Sequence, residues 1–279
     1  MAHWRDSLLL KVANVLSYIL FLGSNGYGAL GPQSGKWSAG GARETFITPE
    51  SWFFGAWGLV HLLLLGFIVY QFHPSGYHPA VEGVGWRFSL LAVLNALYAQ
   101  LSSNGSGKDK DARISAILAF VVMLVIAATV STVFHQLKTS HKAKNALDTV
   151  VVHLPFSIWH GLSVVLAVVA GFAAFGPDAH SHKPGVLSDI AVIIGLVFLE
   201  GTAAGYALYG EGDVASGLVV ALALLAIFQH QTIGTADRII HYGALIAFLL
   251  SLLAVLRSGV AAIQGRRSAA AEERAPLLG

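Results

Sequence analysis

The chain has 279 residues, of which 55% are hydrophobic and only 11% are charged, and its mean hydropathy is +0.67. A typical soluble domain carries about 25% charged residues, so this composition indicates a membrane-embedded protein with no length left for a separate soluble domain. The formal net charge of +2 gives no indication of nucleic-acid binding, and the absence of cysteine excludes disulfides, thiolate nucleophiles and cysteine-ligated metals.

Eight apolar stretches follow one another along the chain, and each is close to the roughly 20 residues that a helix needs to cross the hydrocarbon core. They cover residues 7–26, 49–72, 86–102, 112–137, 150–175, 187–208, 214–230 and 237–260. Hydrocarbon offers the backbone no hydrogen-bond partner, so such stretches are expected to be helical. The sequence therefore predicts an all-α fold, a polytopic transmembrane helix bundle of about eight spans.

The positions of Lys and Arg predict how the bundle is oriented. With the N-terminus in the cytosol, the cytosolic loops and ends carry ten of the 17 Lys and Arg residues, and the opposite side carries seven. An even number of spans then places the C-terminus in the cytosol as well. We expect residues 1–265 to form a single transmembrane bundle and residues 266–279 to form a cytosolic tail.

The tail contains a short pattern of the kind that sorting adaptors recognise on cytosolic segments. Residues 273–278, from Glu273 to Leu278, read ERAPLL, which fits an acidic dileucine signal. Such a signal acts only from the cytosol, in agreement with the orientation above. The functional interpretation is an adaptor partner and a location in the membrane of a vacuole or endosome, and the alternative is a chance match in a six-residue pattern.

Four segments carry a resemblance to a known family. The first segment contains Asn14 and the residues NGY at 25–27. The other three are TPESWFFGAWGL at 48–59, LNALY at 94–98 and LPFSIWHG at 154–161. In this order they resemble the TspO/MBR family, the translocator proteins also called tryptophan-rich sensory proteins, in a longer multi-span form. On this resemblance, residues 1–175 are the TspO/MBR-like part and residues 176–265 hold additional spans.

The resemblance implies a helical bundle, often a homodimer, with a pocket for a tetrapyrrole or a sterol-like molecule between its helices. Several positions depart from the family pattern: Tyr98 replaces a Trp, His61 stands where a Tyr is usual, and Trp159 with His160 alters the last motif. Short members of the family have five spans, whereas this chain has about eight. These departures bear on the identity of the ligand more than on the fold.

Phe53, Trp57 and His61 follow one another at intervals of four residues, which places them on one face of a helix. That face could line an aromatic pocket for a flat apolar ligand, and plain helix packing is the alternative. Trp52 lies about 140° around the helix from Trp57, so the two cannot point the same way. For Trp52 the alternative role is that of an aromatic residue at the membrane interface.

Two polar residues interrupt apolar spans. Asn95 has Tyr98 one turn further on, and an amide at this depth must bond to a neighbouring helix or to a ligand. Glu200 is followed by Gly201 and Gly205, which are expected at close helix contacts. An ionisable group in a span usually faces the bundle interior or a cavity. Glu200 could therefore anchor a ligand, carry a proton in coupled transport, or bond to Asn95 or a histidine.

The chain contains twelve histidines, six of which lie within or at the ends of predicted spans. Paired axial ligation of haem needs two histidines on neighbouring helices, and His61 and His160 could offer such a pair. No spacing of residues indicates a metal site. The sequence requires no cofactor, and a tetrapyrrole, either haem or porphyrin, is the one that remains open.

Motifs of membrane enzymes are absent, because the chain has no paired-histidine zinc motif, no Gly-x-Ser-x-Gly elbow and no phosphate-binding loop. No catalytic residue is predicted, and a role without catalysis is favoured. Three functions stay open besides a purely structural one: binding or moving a flat apolar ligand, proton-coupled transport of a small molecule through Glu200, and a bis-histidine haem protein. The predicted ligand contacts are Trp52, Phe53, Trp57, His61, Asn95, Tyr98, Trp159, His160 and Glu200.

Overall fold

The structure is a computed structural model, and it describes residues 5–30, 43–105, 110–179, 183–209, 212–232 and 236–274. Within these ranges the chain forms helices and no strand, which confirms the predicted all-α bundle. The α-helices are α1 Leu8–Leu30, α2 Ala56–Tyr70, α3 Arg87–Asn104, α4 Lys110–Thr139, α5 Leu154–Phe175, α6 Val186–Leu208, α7 Val214–His230 and α8 Arg238–Arg274.

Short turns of 3₁₀ and π-helix lead into three of these helices. Ser51–Gly55 precedes α2, and Asp148–His153 runs directly into α5, whose first turn contains Pro155. Tyr77–Val84 precedes α3, and this stretch, together with the 3₁₀ turn before it, is bent by 60° against α3. The break falls at Gly85, whose φ of +59° is a conformation that favours glycine.

Six helical segments are long and apolar enough to cross a membrane, and the bent pair that ends in α3 makes a seventh if it counts as one span. The remaining predicted span is α7, which is apolar but has only 17 residues. At 1.5 Å per residue it is about 25 Å long, against a hydrocarbon core of about 30 Å. The segments found thus correspond one to one with the predicted spans, although length alone supports six or seven of them.

The first five helices close a ring in which α1 packs against α2, α2 against α5, α5 against α4, α4 against α3, and α3 against α1. Of the candidate spans, the one that contains α5 has the largest fraction of residues buried inside the bundle. The reason is that α7 covers the side of α5 that α2 and α4 leave free. The five ring helices end at Phe175, where the predicted TspO/MBR-like part ends.

The last three helices, α6, α7 and α8, pack against one another and join the ring mainly through α7 and α5. The first residues of α7 lie beside Ser157 of α5, and the residue after its last turn, Gln231, donates to the carbonyl oxygens of Thr45 and Thr48 before α2. α7 therefore runs from one end of the ring to the other, as a crossing helix would.

Candidate functional site: the interior of the five-helix ring

An aromatic cluster fills the ring between α1, α2 and α5. Phe21 of α1 lies 4.6 Å from His61 of α2 and stacks on Trp159 of α5 at 5.1 Å, measured between ring centroids. Trp57, one turn before His61, meets the edge of Trp159 at 6.0 Å. All four side chains are buried. The structure thus brings together three of the predicted contact residues, Trp57, His61 and Trp159, and adds Phe21.

The cluster continues towards the end of the ring where α2 ends and α3 and α5 begin. There Phe156 stacks on Trp159 at 5.9 Å, and Phe67 packs against both Phe156 and Phe88. Pairs of this kind contribute about 0.5–1.5 kcal/mol each beyond the burial of their area. The interior is therefore a tightly packed aromatic core in the state described, and any ligand that enters must displace some of these contacts.

His61 has one satisfied nitrogen and one unsatisfied nitrogen. The Asn25 side-chain amide nitrogen lies 2.8 Å from Nε2 of His61, so the amide donates to Nε2 and the imidazole proton resides on Nδ1. Among the described residues Nδ1 of His61 has no hydrogen-bond partner, and neither has Nε1 of Trp159, although both atoms are buried. Two N–H donors in the same aromatic cluster therefore lack an acceptor.

A small cavity of about 20 Å³ lies beside the cluster, towards the end of the ring where α2 begins. Its lining includes Asn25, Trp57, Asn95 and Tyr98, so two further predicted contact residues border the same interior. The side-chain amide of Asn95 donates to the carbonyl oxygen of Leu91 on its own helix, at 2.8 Å. A cavity of this size holds about one water molecule, so the interior as described does not hold a tetrapyrrole.

Trp52 and Phe53 lie at the start of the α2 segment. Trp52 is 44% exposed, and its indole N–H donates to the side-chain oxygen of Gln229 at the end of α7, at 2.7 Å. Phe53 is buried against Phe54 and the edge of Trp52. Trp52 therefore links the turn before α2 to the end of α7, and neither residue belongs to the aromatic cluster.

His160 follows Trp159 directly but points towards α4 and α6, because neighbouring residues of a helix are 100° apart. Its Nε2 is 2.7 Å from the hydroxyl of Ser131, its Nδ1 is 3.1 Å from the hydroxyl of Tyr206, and Phe134 packs on the ring. Both ring nitrogens are thus engaged. The structure does not bring His61 and His160 to a shared haem-binding space.

Glu200 lies on α6, outside the ring, and is partly exposed. Within the described part of the chain the structure gives it no hydrogen bond or ion pair. Asn95, its suggested partner, is bonded to its own helix. The structure therefore separates Glu200 from the aromatic cluster.

A buried ion pair that sequence reasoning missed links α4, α5 and α7. Asp213 caps α7 by accepting from the backbone N–H of Ser216 at 2.8 Å, and it also binds the Ser157 hydroxyl and the Lys138 ammonium, each at 2.8 Å. Burial alone would raise the pKa of Asp213, but Lys138 and these donors hold it below its usual range. The sequence offered a signal only for the helix cap, since an Asp directly before an apolar run is typical of the residue that caps the start of a helix.

A second missed cluster joins α7 to the segment before α2. His230 binds the carboxylate of Glu44 through Nε2 and that of Glu50 through Nδ1, the latter at 2.8 Å. The hydrogen bond from His230 holds the pKa of Glu50 below its usual range. His230 is 180 positions from Glu50 and 186 from Glu44 in the chain, so no local sequence pattern could have indicated the contact. In the described ranges no group of three or more His, Asp or Glu residues is arranged to hold a metal ion.

An open apolar groove of about 670 Å³ lies between α4, α5 and α6. It is lined mostly by aliphatic and aromatic side chains, among them Phe120, Val168, Ala191 and Phe198. None of the predicted contact residues borders this groove.

Comparison with known proteins bears on the whole bundle. A family model described as TSPO-like protein matches residues 11–257 of the chain. The match confirms the resemblance seen in the four segments, and it extends beyond residue 175 through α6, α7 and about half of α8. No curated protein and no solved structure matches the chain.

Proposed function

We propose, from the premise that this chain belongs to the TSPO-like protein family, that its five-helix ring binds a flat apolar ligand between the helices. The ligand class is a tetrapyrrole or a sterol-like molecule that carries at least one hydrogen-bond acceptor. The protein itself is an integral, multi-pass membrane protein.

The observation that carries the proposal is the pair of orphaned donors, Nδ1 of His61 and Nε1 of Trp159. A buried donor without an acceptor costs about 1–3 kcal/mol. A ligand oxygen, such as a porphyrin carboxylate or a sterol hydroxyl, recovers that free energy for each donor it satisfies. The rings of Phe21 and Trp57, which meet edge to face at 5.6 Å between centroids, supply apolar aromatic surface next to these donors.

Ligand entry requires the interior to open, because the cavity beside Trp57 holds only about one water molecule. The groove on α4, α5 and α6 is larger, but its lining is nearly all apolar and offers a ligand no directional contact that lipid lacks. We therefore place the ligand in the ring and treat the groove as the competing location.

The test is the quenching of tryptophan fluorescence when the purified full-length protein is titrated with protoporphyrin IX. We expect saturable quenching, a smaller amplitude in Trp57→Phe, and affinity about tenfold weaker in His61→Phe, because one donor is lost. Two control variants should bind protoporphyrin with the affinity of the wild type. They are Trp52→Phe, in the partly exposed turn before α2, and Ala191→Phe, which fills the groove. Unsaturable quenching, or loss of binding in Ala191→Phe alone, would contradict binding in the ring.

A second candidate function is proton-coupled transport of a small molecule through Glu200. It is supported by the position of this carboxyl on a candidate span, where the described residues offer it no partner. Uptake into vesicles driven by a pH gradient should be abolished in Glu200→Gln. Uptake equal to that of the wild type would eliminate this candidate. The bis-histidine haem alternative finds no support in the geometry, since both nitrogens of His160 are engaged.

The proposal extends to two partners and a location. We propose that the chain forms a homodimer, as its family resemblance implies, and that a sorting adaptor reads the tail from Glu273 to Leu278 and directs the protein to a vacuole or endosome. The leucines of this signal lie outside the described residues. Replacement of Leu277 and Leu278 by Ala should redistribute a tagged protein to another membrane, and an unchanged location would exclude the signal.

A further inference from the structure

A second groove runs between α3 and α4 on the outer surface of the ring and has a volume of about 490 Å³. On α4 it is lined by Val121, Val125, Ala128 and Thr132, which follow one another at intervals of three or four residues and form one stripe. The valines and Ala128 are exposed. This groove is separate from the ring interior and plays no part in the proposed ligand site.

The groove is apolar along its length despite two threonines. The hydroxyl of Thr129 donates to the carbonyl oxygen of Val125 at 2.7 Å, and that of Thr132 donates to the carbonyl oxygen of Ala128 at 2.9 Å. Both hydroxyl protons are therefore used within α4. What the groove offers to an occupant is hydrocarbon surface.

One end of the groove carries a cation. Arg87, the first residue of α3, lines the groove, and its guanidinium lies 5.7 Å from the ring centroid of Trp86. Trp86 is 60% exposed. Tryptophan and arginine side by side at the end of an apolar surface are typical of the headgroup level of a membrane. Within the described part of the chain, no carboxylate forms an ion pair with Arg87.

The length of the groove matches one leaflet of a bilayer. From Thr132 to Val121 the α4 stripe covers eleven residue steps, or about 16 Å at 1.5 Å per residue. Half of a hydrocarbon core of about 30 Å is about 15 Å. A chain that begins at the level of Arg87 and follows the groove would therefore end near the middle of the membrane.

We propose that this groove is a binding site for one phospholipid of net negative charge, with its phosphate on Arg87 and an acyl chain along α4. The charge at one end and the hydrocarbon surface along the rest match the two parts of such a molecule. A zwitterionic lipid fits less well, because its own ammonium group offsets the phosphate. Basic residues near a membrane surface contribute about 1 kcal/mol each to binding anionic lipid, which corresponds to about fivefold in affinity.

The experiment is native mass spectrometry of the delipidated full-length protein in neutral detergent, titrated with phosphatidylglycerol or with phosphatidylcholine of identical acyl chains. We expect one phosphatidylglycerol to be retained about fivefold more tightly than phosphatidylcholine. Arg87→Gln should remove this preference, and Arg87→Lys should keep it. Arg113→Gln, which removes an exposed cation from the opposite end of α4, is the matched control and should behave as the wild type.

Two further arms test the groove itself. Ala128→Phe should fill it and weaken retention of both lipids, whereas Ala261→Phe, at an exposed position of α8, should not. Soluble glycerol phosphate should not compete, because it lacks the acyl chain. Equal losses in Arg87→Gln and Arg113→Gln, unchanged binding in Ala128→Phe, or competition by glycerol phosphate would each overturn the proposal. Circular dichroism of every variant confirms that it is folded.

Discussion

Asp213 combines a helix cap, a hydroxyl contact and an ion pair in one buried side chain. Its partner Lys138 is 35% exposed, so the ammonium can reach water if the carboxylate is lost. This arrangement differs from that of His61 and Trp159, whose buried N–H groups have no acceptor. The first set of contacts stabilises the bundle, and the second leaves unused binding capacity in its interior.

We expect Asp213→Asn to lower the free energy of unfolding at pH 7 by about 1–2 kcal/mol, since the cap is retained while the charge is lost. The folded pKa of Asp213 lies below its usual range. Such a carboxyl stabilises the fold above its unfolded pKa, near 4, and ceases to do so as the pH falls through the folded value.

The gap in thermal stability between the wild type and Asp213→Asn should therefore be largest at neutral pH and narrow below about pH 4. Asp111→Asn, in the exposed first turn of α4, is the matched control and should show little gap at any pH. A gap that stays constant down to pH 3 would mean that the charge of Asp213 does not contribute.

Glycines distinguish the helix contacts that hold the bundle together from those that do not. A Cβ added at Gly161 of α5 would lie 2.8 Å from the backbone oxygen of Ser216, so α5 and α7 approach each other closely there. At Gly201 and Gly205 of α6 a Cβ would meet nothing within 4 Å. Among the described residues of one chain, the expectation that these two glycines mark close helix contacts is therefore wrong, because no other helix approaches α6 at either position.

The same substitution at two glycines tests this difference. Gly161→Ala should push α7 away from α5 and destabilise the protein by about 1–3 kcal/mol, as overpacking does. Gly201→Ala should be neutral or slightly stabilising, because alanine favours the helix and the space is open. Thermal unfolding in detergent measures both. Equal effects of the two variants would mean that the α5–α7 contact is looser than described.

The arrangement of all eight helices depends on whether α7 and the bent α3 segment each cross the membrane. Contacts at both ends of α7, with Ser157 at one end of the ring and with the segment before α2 at the other, support a crossing. The broken segment before α3 has Gly85 at its bend. If both cross, the bundle has eight spans and its two termini share one side.

We expect reporter tags fused to the N-terminus and to the C-terminus to be found on the same side of the membrane, and that side to be the cytosol. Protease protection of intact and permeabilised vesicles measures this directly. A tag placed in the loop between α4 and α5, near Lys142, is the internal control and should share the same side. Termini on opposite sides would reduce the count to seven spans.

The amino-acid sequence alone determined where the helices lie and that they belong in a membrane. Apolar stretches of about 20 residues have no other stable structure in hydrocarbon, because their backbone groups must bond within the helix. Short segments with Trp57, Asn95 and Trp159 also sufficed to recognise the family, which the match over residues 11–257 confirms. The predicted helices accordingly agree with the described ones to within a few residues at most ends.

Only the tertiary structure decided which face of each helix points inward. In a soluble helix the polar face marks the outside, but lipid is as apolar as the protein interior, so this signal is lost in a membrane. Hence Trp159 and His160, adjacent in the chain, could both be predicted at one site although Trp159 packs on α1 and His160 bonds to α4. Contacts such as Asp213 with Lys138 likewise depend on helix packing, which joins residues far apart in the chain.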